Sequence, residues 1–168
     1  MKIQIIGYSG AGKSTLAKKL ATFYNIPYLH LDNVKFYGDW QEHTKEQQEQ
    51  TVQKFLDENE DWVIDGNFSS ILPIRFEMSD ITIYLNYNRF YCYKMCKKRY
   101  EMHKDNPRES CPCKDKLDKD FKRWILFEGR TRKKRKKHLQ NLNKTKGTKL
   151  IFKNRKQLEK WLTEIGCN

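Results

Sequence analysis

The residues best placed to do chemistry lie near the start of the chain. Gly7-Tyr8-Ser9-Gly10-Ala11-Gly12-Lys13-Ser14 fits the spacing Gly-x-x-x-x-Gly-Lys-Ser/Thr. Glycines at those places let successive backbone N–H groups turn inward and close on phosphate oxygens. The pattern predicts a nucleotide held by Gly7, Ser9, Gly10, Ala11, Gly12, Lys13, Ser14 and Thr15. Lys13 is expected to reach the β and γ phosphates, and the Ser14 hydroxyl to hold Mg²⁺. ATP and Mg²⁺ are therefore the expected cofactors.

Two carboxylates stand at matching places further on. Ile26-Pro27-Tyr28-Leu29-His30-Leu31 reads as a strand ending on Asp32, and Trp62-Val63-Ile64-Asp65-Gly66-Asn67 as a strand ending on Asp65 and a Gly66 turn. A carboxylate at the C-terminal end of a parallel strand points into the usual ligand crevice. Asp65 has the setting of a carboxylate that orients Mg²⁺ beside the loop serine. Asp32 could hold the metal through water or take a proton from a substrate hydroxyl. Arg75 lies ten residues beyond Asp65, where a guanidinium could grip an acceptor anion in bidentate fashion. Phe36, Tyr37 and Trp40 form an aromatic loop that either stacks on a base or packs beneath itself.

The elements needed to position these groups are legible. Residues 1–6 form a β-type run, and Leu16, Leu20 and Phe23 follow the loop at helical spacing. Thr44 to Glu60 is a polar helix with a near capping-box start at Thr44 and Gln47. Asp80 to Leu85 is a further strand. Asn88 then caps a helix running to about Lys104, with Cys92 and Cys96 as buried thiols on one face. Residues 105–116 break the pattern with two prolines and mixed charge, and contain Cys111-Pro112-Cys113. Leu117 to Phe127 is helical. The basic run from Arg130 to His138 reads as the solvated face of a helix continuing to Leu142. Two sharper readings give one or two of its arginines to nucleotide phosphates, or make 130–137 a nonspecific DNA contact. Residues 149–152 and 154–165 close the chain as strand and helix. Five strands alternating with helices predict a parallel sheet covered on both faces.

Composition narrows the class. The 168 residues are enough for one domain with its own core. Hydrophobic residues make up 38% and charged residues 33%, and the net charge of +13 favours anionic partners. No apolar run approaches the roughly 20 residues of a membrane span. A strand at the very N-terminus, without a signal peptide, and five cysteines in no framework spacing point to a reducing cytoplasm.

The chain resembles the bacterial DNA topology modulation proteins, small P-loop proteins related to adenylate and shikimate kinase. The likeness rests on Gly7 to Ser14, His30-Leu31-Asp32, Trp62 to Asn67 and Ile74-Arg75 with Asp80. It continues through Arg89, Lys98-Arg99, Cys111-Pro112 and Phe121-x-x-Trp124-Ile125. It implies a three-layer α/β/α sandwich over a five-stranded parallel sheet in the order 2-3-1-4-5. A single kinase-like domain spans 1–168, with a lid-type insertion around 99–120. It also implies that Arg99 and Arg108 are lid arginines and that Arg132 is the arginine that reaches the nucleotide. Family members tend to have a proline after that arginine, where this chain has Lys133.

The resulting expectation is an ATP-binding phosphotransferase of the nucleoside or nucleotide kinase type. Lys13, Asp32, Arg99, Arg108 and Arg132 would carry catalysis. Asp32, Trp40, Asp65, Gly66, Arg75 and Arg89 would face the acceptor, and Ser14 and Asp65 the metal. A monomer or homodimer is expected. A nucleotide-dependent DNA-binding regulator using residues 130–137 is the alternative.

Overall fold

In the computed structural model, which describes residues 1–167, five parallel strands form one sheet in the order β2-β3-β1-β4-β5. The strands are β1 (Lys2–Gly7), β2 (Tyr28–His30), β3 (Trp62–Asp65), β4 (Ile81–Leu85) and β5 (Thr148–Phe152). Ile3, Ile5 and Ile6 of β1, all four residues of β3 and most of β4 are buried, as expected of strands covered on both faces. β5 is one of the two edge strands and is mostly exposed. The strand order implied by the resemblance is the one observed, with helices on both sides of the sheet.

Eight helices connect and cover the strands: α1 (Lys13–Tyr24), α2 (Leu31–Lys35), α3 (Lys45–Glu58), α4 (Arg75–Met78), α5 (Arg89–His103), α6 (Lys119–Leu126), α7 (Arg132–Lys144) and α8 (Arg155–Glu164). Their starts follow local chemistry. Thr44 and Gln47 make a full capping box on α3. Asn88, Asp118, Thr131 and Asn154 cap α5, α6, α7 and α8 by accepting a backbone N–H.

Three elements differ from the sequence reading. The second strand is shorter, because the chain turns into α2 at Leu31 and buries Leu31 and Val34. Asp32 therefore sits in the first turn of a helix, where a carboxylate suits the dipole. The short α4 follows Pro73 and was not anticipated. The helix expected over 117–127 begins at Lys119, after Asp118 caps it. It ends at Leu126, and a 3₁₀ turn at Glu128–Arg130 separates it from α7. Gly129 allows that turn, since a Cβ there would come within 2.9 Å of the Trp124 carbonyl.

Candidate functional site

The phosphate loop runs from the end of β1 into α1. Gly10 and Gly12 have φ of 78° and 88°, conformations that L side chains rarely adopt. Around Gly12 there is open space, whereas a Cβ on Gly10 would come within 2.3 Å of the Cys92 carbonyl and 2.7 Å of Cys96 Sγ. The buried thiols of α5 thus serve as the backing against which the loop is pressed. The entry to the loop is fixed from the side by Asn67. Its Oδ1 accepts from the Gly7 N–H at 2.9 Å and its Nδ2 donates to the Gly7 carbonyl at 2.6 Å. Sequence reasoning gave Asn67 no such role, although it follows Asp65-Gly66 directly.

Parallel pairing of β1 with β3 sets Asp65 opposite Ile5. The Ser14 hydroxyl donates to Asp65 Oδ2 at 3.0 Å, and His30 Nδ1 is hydrogen-bonded to Asp65 Oδ1. Asp65 is buried and its two oxygens face the loop serine and β2. A hydroxyl beside a carboxylate, at the mouth of a phosphate cradle, suits Mg²⁺, which takes few protein ligands and completes its shell with phosphates and water. Lys13 Nζ donates to the Tyr8 carbonyl at 3.3 Å. Gly66 makes room rather than contacts: a Cβ there would lie 2.7 Å from Leu31 Cβ.

Asp32 lies beside this centre. Burial pushes its carboxyl above the ordinary range; Lys13, Arg108 and Arg99 draw it back, and Asp65 pushes it further up. The phosphate-loop lysine, both carboxylates and two arginines are therefore neighbours. Arg99 Nε donates to Asp115 Oδ2 at 2.8 Å and Arg108 Nε to Asp115 Oδ1 at 3.2 Å. The stretch carrying Arg108 is docked on the body of the protein. Glu109 is bonded by Lys18 at 2.7 Å and by the Tyr28 hydroxyl, and its carbonyl accepts from Asn33 at 2.8 Å. Cys113 Sγ accepts from the Trp40 N–H at 3.2 Å. Cys111 is buried close to Asp32 and Arg108, and burial pushes its thiol up to about 11.

Three residues singled out in the sequence, Arg75, Arg132 and Arg89, are placed differently from expectation, and Trp40 takes the packing alternative. Arg75 is fully buried. Its guanidinium donates to Gln4 Oε1 at 2.9 Å and to the carbonyls of Ile71, Leu72 and Phe68. With those acceptors taken and no exposed edge, it braces the chain after β3 and cannot grip an acceptor. Arg132 is exposed, because Thr131 caps α7 and leaves Arg132 as its first helical residue. The arginine that reaches the phosphate loop is Arg130, whose guanidinium lies 3.9 Å from the Tyr8 ring centroid and donates to the Tyr87 and Ile125 carbonyls. Arg89 sits over the Phe127 ring at 5.7 Å, and no hydrogen bond among the described residues ties it to the loop. Trp40 packs against Phe36 and under Lys116, as part of the docked segment.

Between the loop and α7 lies a cavity of about 270 Å³. Tyr8, Phe68, Trp124, Lys134, Lys137 and His138 contribute to its walls, and no carboxylate lines it. His138 packs edge-on to Tyr8 and against Tyr84, and burial, with Lys13, Lys137 and Lys134 nearby, pushes it down to about 4. It is neutral at physiological pH. Part of the basic run, read in the sequence as a solvated face or as a phosphate or DNA contact, thus faces a cavity beside the phosphate loop.

No family model and no curated protein matches the chain. Solved structures do. A shikimate kinase from Bacteroides thetaiotaomicron aligns at 17% identity over 98% of this chain and 96% of that one, with a TM-score of 0.58. A deoxyadenosine kinase from M. mycoides with bound dATP aligns at 14% identity over 99% and 100%, also with a TM-score of 0.58. An uncharacterized protein from Eubacterium ventriosum aligns at 15% identity over both full lengths, with a TM-score of 0.51. At these identities the likeness is one of architecture: the chain has the fold of the P-loop kinases.

Proposed function

We propose that the protein is an ATP- and Mg²⁺-dependent phosphotransferase acting on a small hydroxyl-bearing acceptor, a nucleoside or nucleotide being the class favoured. The observation that carries this reading is the convergence of Lys13, Ser14, Asp65 and Asp32 with two arginines at one end of the sheet. Such transfer depends on positioning and charge neutralisation more than on covalent chemistry. The loop amides and Lys13 hold the β and γ phosphates. Ser14 and Asp65 would hold Mg²⁺, which neutralises phosphate charge when bound. Asp32, with its raised proton affinity, accepts the proton of the attacking hydroxyl. Arg99 and Arg108, in the lid-type segment proposed for 99–120, stabilise charge on the group in transit. Arg130, on the wall of the cavity under α7, replaces Arg132 as the arginine near the nucleotide.

The test is an acceptor screen with Mg²⁺-ATP, following ADP release across nucleosides, nucleoside monophosphates and small hydroxylated metabolites. Acceptor-stimulated release is expected, falling at least about 10³-fold in Lys13→Ala. Release that is slow and indifferent to every acceptor would reject the kinase reading.

A second reading is supported by charge. The chain from Gly129 to Leu158 contains no carboxylate, and Arg132, Lys133, Arg135 and Lys136 are exposed on α7. This favours a polyanion such as DNA and accords with the resemblance to the DNA topology modulation proteins. Binding through that face would weaken log-linearly with salt. ADP release stimulated by DNA rather than by any small acceptor would favour it.

A further inference from the structure

Asp115 lies in a segment that breaks the helical pattern, and nothing in its sequence surroundings marks it. Yet its carboxylate is one of the most enclosed in the protein, with a side chain only 1% exposed. A buried carboxylate needs compensation, and here two guanidiniums supply it. Arg99 comes from the last turns of α5, and Arg108 from the segment that follows. Their side chains would repel one another if brought together alone. One carboxylate between them offsets that repulsion, each of its oxygens accepting one Nε.

The choice of Nε matters. An arginine anchored through Nε keeps its two Nη groups for another partner. Arg108 uses Nη1 on Ser110 Oγ at 2.7 Å, and among the described residues neither Nη of Arg99 has a hydrogen-bond partner. Both guanidiniums are near enough to Asp32 to lower its proton affinity. Asp115 itself is tied to the end of α5 by its N–H, which donates to the His103 carbonyl at 3.3 Å. The strut therefore joins α5 to the 104–115 segment, beside the carboxylate proposed as base.

We propose that Asp115 is a positioning residue for phosphoryl transfer. It would hold Arg99 and Arg108 as a preformed pair beside Asp32, with both Nη groups of Arg99 and Nη2 of Arg108 left for the transferring phosphoryl group. This rests on the kinase reading above. It assigns the two arginines to the transition state rather than to ATP binding, since an interaction made only there raises kcat without tightening the ground state.

The experiment compares wild type, Asp115→Asn and Asp115→Glu with the acceptor found by the screen, measuring kcat, KM, ATP Kd by calorimetry and the acid limb of the kcat–pH profile. Asp32 faces Lys13, Asp65, Arg99 and Arg108, with Cys111 nearby, so loosening two cations raises its proton affinity. Asp115→Asn is expected to lower kcat about 10- to 100-fold, to leave ATP Kd within about twofold and to move the acid limb to higher pH. Asp115→Glu keeps the charge and is expected to leave the limb in place, with kcat within about fivefold of wild type. An Asp115→Asn enzyme with wild-type kcat and limb would overturn the proposal. So would two variants equally impaired with the limb unmoved, the signature of a purely structural strut. If Asp115→Asn does not fold, Asp115→Glu decides: a displaced limb or a loss beyond about 100-fold rejects the role. A wild type that transfers to no acceptor instead defeats the kinase reading itself, and is seen before any variant is made.

Discussion

The floor and the roof of the site are built in different ways. The floor is the phosphate loop with the end of β3, and its parts are held by strand pairing with a side-chain clasp from Asn67. Gly66 N–H donates to the Ile5 carbonyl, β1 pairs with β3 in register, and Asn67 clasps both backbone groups of Gly7. The roof comprises the segment after α5, the 3₁₀ turn and α7. Its arginines are held by side chains and carbonyls outside any strand pairing: Asp115, 16 residues from Arg99 and 7 from Arg108, and Tyr87, 43 residues from Arg130. Backbone-held groups follow from strand pattern and glycine placement. Groups held by distant partners depend on packing that no local stretch specifies.

Arg75 offers the sharpest test of that division, because it looks like roof in the sequence and belongs beneath the floor. Burial pushes its guanidinium down to about 9, so it is still charged at neutral pH, and it has only neutral acceptors around it. Arg75→Gln orphans several buried carbonyls and should cost about 3 kcal/mol. For a chain of this size that lowers Tm by about 10 °C. At a temperature where the variant is folded, KM for the acceptor should stay within about twofold. An acceptor KM raised tenfold with Tm unmoved would return Arg75 to the site.

The same contrast explains what the sequence could tell. Five strands, their order by resemblance, the capping box at Thr44 and the Asn88 cap were all legible, because each rests on periodicity or on a short contact. The glycine-rich turn between β1 and α1 is legible from eight residues, and the placement of Asp65 at a strand end from one strand. The burial of Arg75 is not legible, because it is decided by the carbonyls of residues 68–72 and by Gln4 of β1. The resemblance assigns the nucleotide arginine to Arg132, but a local signal bears on where that residue sits. Thr131, a good N-cap residue before a basic run, makes position 132 the first of a helix and leaves Arg130 in the turn that approaches Tyr8. Asp115 and Asn67 carried no usable signal, since a carboxylate in an irregular stretch and an asparagine after a glycine are ordinary turn residues.

His138 sits at the seam between floor and roof, edge-on to Tyr8 and tilted against Tyr84. Its proton affinity is lowered to about 4 in the folded protein, against an ordinary value near 6.5. The unfolded chain therefore binds the proton first. Stability is complete above pH 6.5 and declines as pH falls toward 4, beyond which this group adds no further loss. Discounting for partial exposure, the decline due to His138 is about 2 kcal/mol. Denaturant unfolding of wild type and His138→Phe at pH 7 and pH 4.5 should show the difference between the two pH values shrinking by that amount in the variant. An unchanged difference would mean that the seam is open to water.

The smallest effect expected discriminates best between two neighbouring arginines of the roof. Arg130→Gln removes the cation stacked on Tyr8 and its bonds to the Tyr87 and Ile125 carbonyls. It also removes a positive charge from the wall of a cavity that has no carboxylate. A charge-assisted contact of this kind contributes about 1.4 kcal/mol, a tenfold rise in KM for an anionic ligand. Arg132→Gln changes an exposed side chain at a helix start, where a cation is slightly unfavourable, and should move KM by less than twofold and leave Tm unchanged or slightly higher. The comparison is internal: the variants carry the same charge change two residues apart, so any long-range field of the basic run affects both alike. If the two are equally impaired, it is the field of α7 as a whole that attracts the ligand. If Arg132→Gln is the worse, the roof closes further over the nucleotide than the packing of Thr131 allows.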